Sequence, residues 1–559
     1  MKKKSASIIS IVLFFVVFIG IRFLYLNTTL WYDEACSWYS ASQNFPFGIL
    51  DNLLTLDLQH SPLYFFVLHF WMKIFGQGEL ALRLLSLIFG VLSVPLAYVV
   101  ARKISSKTIA IFSTCVVAFS PLLSLFSVEV RMYPMVIFLV LLSVNYLVDY
   151  ENSKSKSDLL KLIIVNILIP YTYVGGILYN ISLLVCYGYY LYKSKSSVLK
   201  KYLSYEIIEY LSLIPFFMLI GFYAVKRHIF VVMHEGSLSF SQIIDIIRNF
   251  FGATLVPNIY WPSTDGYNMT LWFTLLVIVP CVYFVYGFIK GCFKSEKFEK
   301  VLYNIFGLCF IFFVVCAFFR INVLTVRYLL YLLPVMFILS VVGLFRNLSS
   351  RLCKIFLSLF VVCSICFSLY NVPRFRVMKG HAFKAVSIEA AANELGNDDI
   401  VIMPFGADAP YYFRNFESPV VFDFDFHKQV RNPYNEKYYD PSMSNIMKSS
   451  QKYDFVAARI NEDSVFSHNF ENYFMQNINQ NVQSGRYVLL AMYGGDANSI
   501  APVDTLRALI KDEKYLHHNF VDVMFRKFLC DVIAMLNRDF SLVKLYEKGN
   551  YTYYLFKKN

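Results

Sequence analysis

The sequence predicts a polytopic α-helical membrane protein with a C-terminal extracytoplasmic α/β domain. Of the 559 residues, 57% are hydrophobic and 16% are charged, and the mean hydropathy is +0.52. A soluble protein of this size could not bury that much apolar surface. Apolar runs of about 17–23 residues, the length of a membrane-spanning helix, recur through residues 1–371, whereas residues 372–559 alternate short strand and helix patterns. The same composition excludes a disordered chain, a collagen and a disulfide-rich scaffold.

Eleven apolar runs predict eleven membrane spans. The fifth and sixth runs are short and almost touch, so the count is defined to within one pair. The first run follows three lysines but no small-residue cleavage site comes after it, so we expect a retained anchor and not a signal peptide. The runs are Ile8–Leu26, Leu80–Ala101, Thr108–Phe126, Met132–Val148, Leu159–Val174, Gly175–Leu191, Leu203–Val225, Met269–Ile289, Val301–Phe319, Val326–Phe345 and Cys353–Leu369.

Basic residues indicate the orientation of these spans. The net charge is +13, and residues 1–371 hold 29 Lys/Arg against 16 Asp/Glu, while residues 372–559 hold 22 of each. The excess therefore reports membrane topology and not a nucleic-acid partner. Alternate loops hold three or four Lys/Arg each, which places the N-terminus in the cytoplasm and residues 372–559 outside the cell (inner or plasma) membrane. The basic segments are MKKK, RKISSK, ENSKSKSD with the adjoining Lys161, KSKSSVLKK, KGCFKSEKFEK and RNLSSRLCK.

Two long loops, residues 27–79 and 226–268, lie on the predicted outer side. The stretch LYFFVLHFWMKIFG in the first loop is amphipathic and too short to span, so we expect it at the membrane interface. The eleven cysteines include a C-x-x-C at Cys363 and Cys366 inside an apolar run. We interpret them as small core residues, with neither a disulfide framework nor a zinc site.

The outer domain, residues 372–559, shows strand and helix patterns in turn. The late segment FSLVKLYEKGNYTYYLF predicts a hairpin that turns at Gly549 and Asn550. The other predicted strands are DIVIMPF, PVVFDFD, DFVAARI and RYVLLAMYGG, and the predicted helices are His381–Leu395, Asp504–Lys514 and Phe525–Arg538.

The first chemical motif, WYDEACSWYSAS, follows the first span directly. It places Asp33 and Glu34 side by side among aromatic residues at the outer membrane boundary. Charge at that depth is costly unless it faces water or a polar cleft. Taken alone, the pair is better explained by a helix start, with Asp33 as N-cap and Trp31 in the interfacial aromatic belt.

Three further motifs fall on the same predicted side. LQHSPLY places His60 before an amphipathic helix, and GELALRLLS places Arg83 near the outer end of the second span; a loop histidine and a snorkelling arginine are the simpler alternatives. SVEVRMYP brings Glu129 and Arg131 into a very short loop, with a structural ion pair as the alternative. Tyr133 closes this third motif, and LTVRYLLYLLP places Arg327 and Tyr328 at the start of the tenth span.

Together these four motifs predict a transferase that uses a lipid-phosphate donor. An acceptor hydroxyl needs a carboxylate base, because its own pKa is high. A phosphate leaving group needs cations, and arginine suits it best. A lipid tail needs apolar helices alongside. Asp33 and Glu34 point apart as neighbours do on a helix, so they are not a facing glycosidase-type pair.

The order of the motifs resembles that of the bacterial family 39-type glycosyltransferases. These are GT-C membrane enzymes related to protein O-mannosyltransferases and to the aminoarabinose transferase of lipid A. The matching elements are DE after the first span, H-x-P-L-Y, L-R-x-x-S, S-P-x(7)-E-x-R-x-Y and R-Y-x(5)-P, within residues 8–340. The chain departs from many relatives at YTYVGG, where Tyr173 stands in place of a Thr-His pair.

The resemblance implies inverting transfer from a polyprenyl-phosphate sugar outside the cytoplasm. It implies that Asp33 is the catalytic carboxylate, with Glu34 beside it, and that Glu129, Arg131 and Arg327 match later motif positions. The candidate site is then catalytic Asp33, Glu34 and Glu129; donor-phosphate ligands Arg83, Arg131 and Arg327; and substrate or metal contacts His60, Tyr133 and Tyr328. A divalent cation held by Asp33, Glu34, His60 and Glu129 is one option that no spacing requires.

Other functions remain as alternatives. A lipid-linked polysaccharide polymerase or ligase also has many spans and a large outer loop. A flippase or transporter of lipid-linked sugars is expected to show repeated halves and charges at the membrane midplane. A membrane-anchored binding protein would carry its function in residues 372–559. The acceptor is a glycan, a glycolipid, a lipid or a protein, and neither it nor the sugar is specified by the sequence.

Overall fold

The computed structural model divides into two compact units. The first comprises residues 1–28 and 40–378, and the second residues 29–39 and 379–559. The residues that the structure describes are 2–26, 28–56, 60–226, 271–318, 326–378, 395, 399–402, 409–412, 420–421, 483–493, 536, 538–548 and 551–559.

The first unit is built from helices, and each of the eleven apolar runs is helical over most of its length. Seven helices in the described part of the chain are long and apolar enough to cross a membrane. The helices are α1 Lys2–Leu26, α2 Tyr32–Ser42, α3 Phe47–Leu56, α4 Pro62–Phe75, α5 Glu79–Ile104, α6 Lys107–Phe119, α7 Pro121–Phe126, α8 Tyr133–Ser153, α9 Lys156–Thr172, α10 Ile177–Lys193, α11 Leu199–Lys226, α12 Leu271–Lys294, α13 Lys297–Phe318, α14 Val326–Leu329, α15 Leu333–Asn347 and α16 Ser350–Met378.

One predicted span is interrupted in the structure, and one predicted loop contains helices. The run Thr108–Phe126 is not one helix, because Pro121 has no amide hydrogen and the Ser120 hydroxyl accepts a hydrogen bond from the Leu123 amide, which starts a new short helix. The loop 27–79 contains α2, α3 and α4, and α4 confirms the predicted amphipathic helix. The second long loop lies outside the described residues.

The turn between α8 and α9 is held by one carboxylate. Asp158 accepts hydrogen bonds from Ser153 Oγ at 2.6 Å, Ser155 Oγ at 2.9 Å and Lys161 Nζ at 3.0 Å. These donors, Ser153 first, lower the pKa of Asp158 to about 2. The carboxylate form therefore supports the turn above the ordinary carboxyl pKa, and its contribution is lost as the pH falls towards 2.

Helices α12 and α15 approach each other through glycines. A Cβ atom on Gly343 would overlap the carbonyl oxygen of Gly287 and lie 2.9 Å from the Gly291 Cα. Small residues of this kind let membrane helices pack at close range. The α12–α15 contact therefore depends on the absence of side chains at these positions.

The second unit contains a mixed five-stranded sheet in the order β2-β1-β3-β5-β4. Strand β1 pairs in parallel with β2 and β3, and β5 pairs antiparallel with β3 and β4. The predicted hairpin is confirmed, because Lys548 pairs with Tyr551 across a two-residue connection. The predicted strand DFVAARI and most of the three predicted C-terminal helices lie outside the described residues. The elements are β1 Ile400–Ile402, α17 Ala409–Tyr412, β2 Val420–Val421, β3 Tyr487–Tyr493, β4 Phe540–Lys548 and β5 Tyr551–Lys558.

We expect Gly343→Ala to destabilise the first unit, since overpacking of a close contact costs about 1–3 kcal/mol. Thermal unfolding of the purified protein in lipid nanodiscs would show a melting temperature several degrees lower. Gly221→Ala is the matched control, because a Cβ there meets nothing within 4 Å. Equal melting temperatures for the two variants would contradict the close approach.

Candidate active site at one end of the helix bundle

Arg83 connects the ends of two helices. It lies one turn inside α5 and is completely buried. Its Nη1 donates to the carbonyl of Leu26 at 3.0 Å and also to that of Thr28. The last carbonyls of a helix have no partner within the helix and carry its negative dipole end. The guanidinium therefore fixes the end of α1 against the start of α5.

A hydroxyl network links three of the sequence motifs. Ser86, one turn after Arg83, lies 3.0 Å from the Tyr64 hydroxyl and donates to the Arg131 carbonyl at 3.3 Å. Tyr64 comes from the HSPLY motif, Ser86 from the LRLLS motif and Arg131 from the loop before α8. Tyr64 and Ser86 belong to these motifs, but the sequence alone did not identify either as part of the site.

Arg131 and His60, predicted from separate motifs, are in contact. The Arg131 guanidinium, almost fully buried, places Nη2 against His60 Nε2. Because a guanidinium only donates hydrogen bonds, His60 Nε2 is the acceptor in this contact. The Arg131 amide also donates to the Glu129 carbonyl at 2.7 Å, so the buried Glu129 and Arg131 share one tight turn.

Tyrosines connect this turn to the fourth motif. The Tyr173 ring lies 6.4 Å from the Tyr133 ring and stacks on Tyr328 at 6.4 Å. The Arg327 guanidinium lies 5.2 Å from the Tyr328 ring centroid. The structure therefore brings Tyr133, Tyr328 and Arg327 into one cluster around Tyr173.

The Tyr173 position depends on its neighbours. The Tyr331 hydroxyl donates to the Gly175 carbonyl at 3.0 Å, which fixes the turn after α9. A Cβ on Gly175 would lie 2.6 Å from the Tyr173 ring, so the ring requires glycine there. From the sequence, Tyr173 is only a departure from the family pattern. The glycines that follow it in YVGG are the one sequence feature that indicated a closely packed ring.

Asp33 and Glu34 lie in the second unit, in the first turn of α2. Acidic side chains are favourable there because of the helix dipole. Glu34 is completely buried and its Oε2 accepts from the Trp31 amide at 3.2 Å. Asp33 is half-buried, and its carbonyl accepts from Ser37 Oγ at 3.0 Å. The capping contact at this helix start therefore comes from Glu34.

Two tyrosines of the C-terminal region hold the acidic segment within the second unit. The Leu30 amide donates to the Tyr412 hydroxyl at 2.7 Å. The Trp38 ring packs edge-on against Tyr411, with centroids 5.2 Å apart. Residues 379–559 thus contribute directly to the position of the segment that contains Asp33.

A metal at the candidate site stays a hypothesis. Within the described ranges, no group of three or more His, Cys, Asp or Glu side chains is arranged to hold a metal ion. Asp33, Glu34, His60 and Glu129 have the hard oxygen and imidazole donors that a divalent cation accepts.

Comparison with known proteins finds a similar fold and a protein-family model that matches one segment of the chain. Residues 59–221 match the protein-family model described as dolichyl-phosphate-mannose-protein mannosyltransferase. The structure is similar to that of ArnT from Cupriavidus metallidurans bound to undecaprenyl phosphate, with a TM-score of 0.51 and 14% identity over 98% of this chain and 97% of that one. The apo form of ArnT gives a TM-score of 0.51 and 12% identity over 98% of each chain. No curated protein sequence matches the chain.

A weaker similarity, with a TM-score of 0.48 and 13% identity, covers 86% of this chain and 69% of an oligosaccharyltransferase from Archaeoglobus fulgidus. The family match and the ArnT fold confirm two predictions from the sequence. These are the resemblance to the GT-C membrane glycosyltransferases and the polytopic fold with a C-terminal domain.

We expect Tyr412→Phe to loosen the acidic segment, because it removes the acceptor of the Leu30 amide. Loss of one such hydrogen bond costs about 0.5–1.5 kcal/mol. Hydrogen exchange of peptides covering residues 29–39, followed by mass spectrometry, should be several-fold faster than in wild type. Tyr189→Phe, at an exposed tyrosine of α10, is the control. Unchanged exchange in Tyr412→Phe would show that this contact does not hold the segment.

Proposed function

We propose that this protein is a GT-C membrane glycosyltransferase that moves a sugar from a polyprenyl-phosphate donor to an extracytoplasmic acceptor, with inversion at the anomeric carbon. The observation that carries the proposal is the buried Arg131, in contact with His60 beside Glu129 at one end of an apolar helix bundle. A buried cation at the end of membrane helices suits a phosphate that is anchored by a lipid tail. The ArnT structure bound to undecaprenyl phosphate supports this class of donor.

The donor phosphate would bind the arginines of the candidate site. Arg131 and Arg327 are the first candidates, because Arg83 already uses Nη1 on two backbone carbonyls. Guanidinium groups bind phosphate oxygens through parallel hydrogen bonds and stabilise the negative charge of the leaving group. Tyr133 and Tyr328 would line this side of the site around Tyr173.

Asp33 would act as the general base. It would accept the proton of the acceptor hydroxyl while the hydroxyl oxygen forms a bond to the anomeric carbon. The bond from that carbon to the phosphate oxygen breaks, and its electron pair leaves with polyprenyl phosphate. A single displacement of this kind inverts the configuration. Glu34 would position Asp33, because its carboxylate is bound to the Trp31 amide; Glu129 is the second candidate for the base.

The reaction would take place on the outer side of the cell membrane. The basic residues at the opposite helix ends, including Lys103, Lys154 and Lys193, support a cytoplasmic N-terminus by the positive-inside rule. The C-terminal domain would then lie outside, where it holds the Asp33 segment. The acceptor is a cell-envelope glycan, a lipid or a protein, and membrane lipid surrounds the bundle.

The test is sugar transfer by purified protein in lipid, with labelled polyprenyl-phosphate monosaccharides and crude cell-envelope acceptors. We expect transfer by wild type and a loss of about 10²–10⁴-fold in Asp33→Asn, since the variant lacks the base. Asp51→Asn, at an exposed aspartate of α3, should retain activity. The melting temperatures of the variants should match that of wild type.

Two outcomes would contradict the proposal at different levels. Equal transfer by wild type and Asp33→Asn would remove Asp33 as the base and favour Glu129. Absence of transfer from every donor would contradict the transferase itself and favour a polymerase or a flippase.

A further inference from the structure

Two buried glutamates lie on the inward face of α11. The buried positions of this helix are Tyr202, Glu206, Glu209, Leu213 and Phe216, a spacing of three and four residues that marks one face. Both glutamates therefore occupy positions where apolar side chains are expected. The opposite face is exposed and apolar, as at Leu203, Ile207, Ile208, Leu211 and Ile214.

The glutamates lie deep in the bundle. Glu206 and Glu209 are about 10 and 15 Å along the helix from Leu199 at 1.5 Å per residue. Asn166 lies about 15 Å from the start of α9, and Asn180 about 20 Å from the end of α10, measured from the same basic end of the bundle. All four residues are thus at the depth of the membrane interior, where ionisable groups are costly and usually functional.

Polar side chains of neighbouring helices surround Glu209. Asn180 Nδ2 donates to Glu209 Oε1 at 2.8 Å and to the Asn166 carbonyl at 2.9 Å. Ser143 Oγ donates to Asn166 Oδ1 at 2.6 Å and lies 2.9 Å from the Tyr179 hydroxyl. Helices α8, α9, α10 and α11 therefore meet around one polar cluster.

Several oxygens of this cluster lack a hydrogen-bond donor among the described residues. They are both carboxyl oxygens of Glu206, Oε2 of Glu209 and Oδ1 of Asn180. Glu206 is only 2% exposed, so bulk water does not replace the missing donors. Two buried donors lie beside these oxygens outside strict hydrogen-bonding geometry: the Tyr202 hydroxyl interacts with Glu206, and the Asn166 side chain interacts with Glu209.

The pair also lacks the cation that other carboxylates in this bundle have. Glu299 pairs with Arg346 at 2.6 Å, and Asp149 with Lys103 at 2.5 Å. Within the described part of the chain, no ion pair includes Glu206 or Glu209. Two carboxylates in a low-dielectric interior are strongly unfavourable unless their charge is balanced.

We propose that Glu206 and Glu209 form an intramembrane site for a divalent cation of the Mg²⁺, Mn²⁺ or Ca²⁺ class. The two carboxylates supply the two negative charges that balance such an ion. The Asn180 amide oxygen adds a neutral ligand, and these hard cations prefer oxygen donors and complete their coordination with water. The bound ion stabilises the packing of α11 against α9 and α10.

The experiment uses full-length protein in nanodiscs, stripped with EDTA and titrated with Mn²⁺ while free Mn²⁺ is followed by electron paramagnetic resonance. We expect Glu206→Gln/Glu209→Gln to bind about one ion fewer per chain than wild type, or to bind it at least tenfold more weakly. Glu299→Gln, which alters a buried glutamate that already has a cationic partner, should bind as wild type does. Equal Mn²⁺ binding by wild type and the double variant would overturn the proposal.

A second readout uses wild type alone, in case the variant does not fold. Added Mg²⁺ or Mn²⁺ should slow hydrogen exchange several-fold in the peptides that contain Asn166, Asn180 and Glu209, relative to the EDTA-treated protein. A cation bound elsewhere would leave these peptides unchanged. Unchanged exchange would overturn the proposal and indicate that the carboxyls are protonated instead.

Discussion

A buried guanidinium must find acceptors for its hydrogen bonds, and this constraint organises the end of the bundle that holds the candidate site. Arg83 joins the end of α1 to α5, and Arg131 joins the turn before α8 to His60. Arg22, also buried, donates to the carbonyls of Phe18 and Ala118 at 3.1 Å, which joins α1 to α6. Removal of any one partner would leave a desolvated charge, so each arginine fixes the position of two segments.

Each unit holds its own set of candidate groups. The first unit presents cations and tyrosines at the end of its apolar helices, which suits a lipid-bound phosphate. The second unit holds the acidic helix start at residues 29–39 through Tyr411 and Tyr412. The chain passes from the first unit to the second at Thr28, directly after the carbonyl that Arg83 binds. Tyr411 and Tyr412 therefore hold the segment that contains the proposed base.

Much of the architecture could be predicted from the sequence, because hydropathy and local turn chemistry act over short distances. The eleven apolar runs are helical over most of their length, and Lys548 pairs with Tyr551 as the predicted hairpin requires. The break at Ser120 was missed because Pro121 stands inside a continuous apolar run, and hydropathy does not register a missing amide hydrogen.

The contacts across the site were harder to predict, because they depend on which helices become neighbours. The order of motifs placed Arg131 and His60 in one region, but their direct contact comes from the fold. Tyr173 contacts the rings of Tyr133 and Tyr328, which belong to motifs more than 150 residues apart in the chain. The partners of the glutamates on the buried face of α11 could not be predicted either, because the sequence does not reveal which helices pack against that face.

Equilibrium binding shows whether Arg131 binds the phosphate of a polyprenyl lipid. Retention of polyprenyl phosphate can be measured by native mass spectrometry for wild type, Arg131→Met and Arg102→Met, the last altering an exposed arginine at the other end of α5. We expect Arg131→Met to retain polyprenyl phosphate at least tenfold more weakly than wild type, about 1.4 kcal/mol or more. Arg102→Met should retain it as wild type does. Equal retention in all three proteins, with melting temperatures unchanged, would contradict phosphate binding by Arg131.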